Sequence, residues 1–87
     1  MTNKRYHGWT NWHTWNVNLW IDNEYDLYQA KKRFLARKAP YLTAKDVESF
    51  CREIFPNGTP DMDPGDMQEV DWDDLAEGWN NEYREDE

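Results

Sequence analysis

The chain has 87 residues and a mass of 10.6 kDa, with 10 Lys+Arg against 18 Asp+Glu, a formal net charge of −8. That length holds one domain, 1–87, around one modest core, which excludes a multi-substrate enzyme with a buried cofactor cleft. A mean hydropathy of −1.20 is offset by 6 Trp, 5 Tyr and 3 Phe; each aromatic ring can bury about 150–250 Å², so global disorder is excluded as well.

Four helical patterns follow one another, with no convincing strand. From Trp12 to Asn23, Trp12, Trp15, Leu19 and Trp20 fall on one half of a helical wheel, with Val17 and Ile21 on the other. A helix apolar on both sides is buried on both sides, so this one is expected at the centre, packed by the other three. Thr10 or Asn11 is its N-cap. Asn16, Asn18 and Thr14 then lie near a crowded interior and need hydrogen-bond partners.

The second helix is expected from about Glu24 to Lys38, capped by Asn23, with Leu27, Ala30, Phe34 and Leu35 inward. Lys31 and Lys38 lie beside that stripe, and Lys32, Arg33 and Arg37 point outward. The third begins at Leu42-Thr43 with Asp46 three residues past the cap, a capping-box pattern. Its stripe is Val47, Phe50, Cys51, Ile54 and Phe55, ended by Pro56-Asn57-Gly58. Residues 58–66 read as an acidic loop. The fourth helix starts at Val70-Asp71 with Asp74 three residues on, and carries Trp72, Leu75, Ala76, Trp79 and Tyr83 inward. Gly78 sits in its middle, about 1 kcal/mol worse than Ala there, a sign of close packing or of simple tolerance. Residues 1–7 and 84–87 are expected to be flexible.

Two segments resemble a known signature. Gly8-Trp9-Thr10-Asn11-Trp12-His13-Thr14-Trp15-Asn16-Val17-Asn18-Leu19-Trp20 is similar to the GW-x-N-x-x-T-W-x-V-x-L-W pattern of small, uncharacterised proteins from phages, plasmids and their hosts. Val70-Asp71-Trp72-Asp73-Asp74-Leu75-Ala76-Glu77-Gly78-Trp79 resembles their C-terminal VDW-x-x-[IL]-A-x-x-W element. Trp12 stands where the pattern usually has Tyr, and keeps an aromatic ring. The resemblance implies an accessory or counter-defence role and no established activity.

Little else points to chemistry. His7 and His13 lack metal-ligand spacing. Asp61-x-Asp63-x-Gly65-Asp66 misplaces the glycine of a calcium loop and has Trp72 where the loop needs its last glutamate. Cys51 alone rules out an internal disulfide and suits a reducing compartment; on an apolar stripe it reads as an inert core thiol. No apolar run reaches the ~20 residues of a membrane span, and the N-terminus lacks the apolar stretch of a signal peptide. A non-enzymatic, cofactor-free protein of the host cytoplasm is therefore expected.

Charge carries the remaining signal. Residues 1–45 hold 8 Lys+Arg and 3 Asp+Glu, net +5, whereas residues 46–87 hold 2 and 15, net −13. Asp61, Asp63, Asp66, Glu69, Asp73, Asp74 and Glu77 are the candidate partner-binding residues. Asp73, Asp74 and Glu77 are expected to face away from the fourth helix's apolar stripe. Such a face suits a host protein with a basic nucleic-acid-binding surface, approached by electrostatic steering. The alternatives are a nucleic-acid binder using Lys32, Arg33 and Arg37, which the net negative charge opposes, and a scaffold acting by homo-oligomerisation, a homodimer included.

Overall fold

Helix starts are set by short polar side chains that meet otherwise orphaned backbone N–H groups. In the computed structural model, which describes residues 6–85, α1 spans Trp12–Asn23, α2 Tyr25–Lys38, α3 Ala44–Ile54 and α4 Trp72–Glu85, with a 3-10 turn at Asp66–Glu69. Asn11 caps α1, its Oδ1 accepting from the Thr14 N–H at 2.9 Å. Thr43 and Asp46 form the reciprocal capping box of α3. Asp71 Oδ1 accepts from the Asp74 N–H at 3.0 Å at the head of α4. Only α2 departs from expectation. Asn23 is the last residue of α1, and Glu24 takes the cap position of α2 without a side-chain bond. One residue turns the corner, and its N–H is already used to close α1 on the Trp20 carbonyl at 3.1 Å.

The helices make an all-α bundle, with no strand among the described residues. Its radius of gyration, 12.1 Å, matches the roughly 12 Å of a compact chain of this length. α1 packs on α2, on α4 and on the 3-10 turn, while α3 packs chiefly on α4. The helix that packs substantially on each of the other three is therefore α4 rather than α1. α4 contributes Leu75, Ala76 and Trp79 to the core, which joins Val17 and Ile21 of α1, Phe34 and Leu35 of α2, and Val47 and Cys51 of α3.

The indoles are distributed differently from the wheel reading of α1. Thr14, Asn16, Val17 and Ile21 are its buried residues, whereas Trp12, Trp15 and Trp20 are half-buried at the margin. Trp79 is the only tryptophan sealed inside, 1% exposed. Phe34 and Phe50, stacked at 4.4 Å, both present edges to it at 6.3 and 6.0 Å.

Two glycines are required by geometry. His7 and Gly8 have φ of 48° and 92° in a turn closed by reciprocal Tyr6–Trp9 backbone bonds of 2.9 and 2.8 Å, the left-handed pairing of a type I′ turn. Gly58 has φ 85°, and a Cβ there would overlap the Met62 carbonyl oxygen. The 58–66 loop is pinned from within by buried Thr59 and Met62. Of the ends expected to be flexible, Tyr6 and His7 belong to the turn and Arg84 to α4; 1–5 and 86–87 lie outside the described residues.

Candidate acidic binding face

The seven candidate carboxylates divide into two groups. Asp63, Asp66, Glu69, Asp73 and Glu77 are exposed, and none has an ion-pair partner among the described residues. Asp63 accepts from the Asp66 backbone N–H at 2.9 Å and Asp66 from the Asp63 N–H at 3.3 Å, which stiffens the turn before the 3-10 helix. Asp73 and Glu77 project from the outer side of α4, one turn apart. They line a shallow groove with Leu42, Ala44 and Ala76.

The other two carboxylates are used inside the fold, which corrects the expectation for them. Asp74 is 6% exposed, and its Oδ2 accepts from both the N–H and the hydroxyl of Thr10, at 2.8 and 2.9 Å. Its charge is spent on the chain's own N-terminal segment. Asp61 is exposed at its edge, but its Oδ2 accepts from Asn16 Nδ2 at 2.7 Å and Trp20 Nε1 at 2.9 Å. Those two donors hold its carboxyl below the ordinary aspartate range.

Behind the acidic face the starts of α1 and α4 are sewn together. Thr14 Oγ1 donates to Asn11 Oδ1 at 2.7 Å and accepts from the Asp71 N–H at 2.8 Å. Asn11 Nδ2 donates to the Glu69 carbonyl at 2.9 Å. Gly78 lies under Trp9, whose ring carbon would sit 2.8 Å from a Cβ at that position. The mid-helix glycine is thus the seat of an indole. Further along, Asn16 Oδ1 accepts from Thr59 Oγ1 at 2.8 Å and Asn18 Oδ1 from Trp79 Nε1 at 2.9 Å. The polar residues of the first signature meet the second signature and the acidic loop, fixing where the exposed carboxylates stand.

A further buried charge escaped the sequence reading. Lys31 has its side chain 0% exposed, and its Nζ pairs with Asp22 of α1 at 3.0 Å and Glu82 of α4 at 3.1 Å, 5.1 Å from the Trp79 ring centroid. A lysine flanked in sequence by Lys32 and Arg33 looks like part of an exposed patch; only its position beside the apolar stripe hinted otherwise. Lys38 pairs with Asp46 at 3.5 Å. The basic helix therefore presents Lys32, Arg33 and Arg37, of which Lys32 rests 5.7 Å from the Tyr28 ring centroid. Burial pushes the Cys51 thiol far above its usual range. Among the described residues no three His, Cys, Asp or Glu side chains gather as a metal site, and no helix is long and apolar enough to cross a membrane.

This arrangement is built by the whole span from the Gly8-Trp9 turn to α4, and one family model matches residues 2–84. The chain belongs to DUF7249, a family of unknown function. No curated protein and no solved structure gives a significant match. Membership in DUF7249 agrees with a resemblance to uncharacterised proteins, and assigns no activity to the acidic face.

Proposed function

We propose that this protein is a small phage-type accessory factor that binds a host protein through its acidic face. The face would occupy a basic nucleic-acid-binding surface and inhibit a host defence component of restriction or CRISPR type. One observation carries this reading: five exposed carboxylates from Asp63 to Glu77 have no cationic partner among the described residues. They stand on a turn and helix fixed by hydrogen bonds. Such uncompensated charge raises encounter rates with a basic partner and makes binding salt-dependent.

The mimicry is of charge rather than of phosphate geometry. Asp73 and Glu77 are separated by about 6 Å of helical rise, a sparser row than the one charge per about 1.7 Å of duplex DNA. The test is capture of partners from host lysate. Wild-type protein is expected to retain a partner that duplex DNA displaces and that falls about tenfold or more in yield between low and high salt. The variant carrying Asp63→Asn, Asp66→Asn, Glu69→Gln, Asp73→Asn and Glu77→Gln is expected to retain none. Asp74 stays unchanged because it holds Thr10. Equal capture by the neutralised variant would remove the proposal.

A further inference from the structure

A groove of about 510 Å³ separates the outer sides of α2 and α3, where the two helices touch through the stacked Phe34 and Phe50 rings. Its floor is apolar, with Ala30, Phe50 and Ile54, and its wall carries Arg33 and Arg37. Both arginines are exposed and without a hydrogen-bond or ion-pair partner among the described residues. Glu53 lines the groove too, so it stays net positive by one charge. Like charges at i,i+4 destabilise a helix by about 0.2–0.5 kcal/mol, and Glu53 offsets only one of the two.

The same chain carries the complement. Asp73 and Glu77 are also an unpaired like-charge pair at i,i+4, so both pairs are separated by about 6 Å of helical rise. The two carboxylates share their shallow groove with Leu42, Thr43 and Arg84, which leaves it net negative by one charge. The residue before Leu42 is Tyr41, the most exposed large apolar side chain among the described residues at 81%. No residue lines both grooves, and no ion pair joins the two patches among the described residues.

We propose that the α2–α3 groove docks a second copy of this chain, which offers Asp73, Glu77 and the Tyr41 ring. Two Arg–carboxylate pairs in matching register flank a ring laid on Phe50 and Ile54. The contact joins unlike surfaces, so it forms either reciprocally in a two-fold dimer or head-to-tail in a ring or chain. Net charge opposes it, but at physiological salt repulsion is screened beyond about 8 Å while contact pairs are screened less. A patch of this size gives a weak interface, with dissociation in the range of tens to hundreds of micromolar expected for roughly 1,000 Å² or less.

Sedimentation of the full chain in 0.15 M salt tests it. The weight-average mass is expected to climb above the 10.6 kDa of one chain as concentration rises toward about 500 µM. Arg33→Glu with Arg37→Glu, and separately Asp73→Lys with Glu77→Lys, are each expected to sediment as monomer. An equimolar mixture of the two variants is expected to associate again, because each reversed patch finds an intact or reversed complement. All four positions are exposed, and circular dichroism checks that each variant remains folded; Tyr41→Ala, expected to weaken association several-fold, supplies an independent readout. A wild type that stays monomeric, or a mixture that fails to reassociate, overturns the inference. A monomer that still captures a basic partner would overturn this inference alone and leave the proposed function standing.

Discussion

At the residue scale, Thr14 carries the densest duty. Its hydroxyl donates to Asn11 and accepts from the Asp71 N–H, while the residue is 0% exposed. Thr14→Val keeps the shape and removes both bonds, leaving a part-buried N–H unmatched. It should cost about 1–3 kcal/mol in urea unfolding, and Thr14→Ser should recover most of it. Gly78 gives a second case. Gly78→Ala gains about 1 kcal/mol of helix propensity, but the new methyl meets the Trp9 ring. In the wild-type background that gain should be cancelled; in a Trp9→Ala background it should appear in full, and a double-mutant cycle reads the difference. Asp61 makes stability pH-dependent. Its lowered pKa means its contribution is complete above the ordinary aspartate value of about 3.9 and is lost as pH falls through the depressed folded value. Asp61→Asn should therefore flatten the decline in stability between about pH 5 and pH 2.5 (roughly 1.1 units above and 1.4 below that value), as unfolding at several pH values would show.

At the element scale, one buried lysine joins three helices beside their apolar stripes. Lys31 of α2 reaches Asp22 of α1 and Glu82 of α4, both side chains 38% exposed. Removing the cation lets these carboxylates rehydrate, so Lys31→Met should be nearly neutral. Removing both anions strands a buried ammonium, and Asp22→Asn with Glu82→Gln should cost about 3–5 kcal/mol. Unfolding midpoints of the two variants decide it, and a costly Lys31→Met would show that the cluster is worth more than its desolvation. Much of this level was readable in the chain order of residues. The capping box at Thr43 and the stripes of α3 and α4 form as their spacing dictates. The departure came at α1, where apolar residues on both halves of the wheel suggested burial on both sides, and only the half with Val17 and Ile21 is sealed. Indoles tolerate a half-wet margin because the ring carries an N–H that wants a partner, as Trp20 finds in Asp61. The smaller Val17 and Ile21 fill the tight interior instead.

For the whole molecule, charge separates into an acidic face along the turn and α4 and a basic side on α2. Neutralising Asp63, Asp66, Glu69, Asp73 and Glu77 should change stability by no more than about 0.5 kcal/mol, because surface charges away from buried networks contribute little. The same substitutions should abolish salt-dependent association. A large loss of stability on thermal unfolding would mean that these carboxylates hold the fold rather than face a partner. Of the seven candidate residues, sequence separated charge from cation-poor surroundings but not outward from inward. Asp73 and Asp74 are neighbours of identical type, and locally only the place of Asp74 three residues past the Asp71 cap distinguishes them. Only the return of the N-terminal segment, 64 residues away, turns one into an internal acceptor for Thr10.

Amino-acid order alone settled the helix count, the caps of α3 and α4 and the split of charge, since these depend on neighbours within a turn or two and on composition. Three-dimensional contact decided which helix is central, which carboxylates remain free and why Lys31 is buried. Those outcomes depend on pairings across 40 to 60 residues, where burial and hydrogen-bond satisfaction outweigh local propensity.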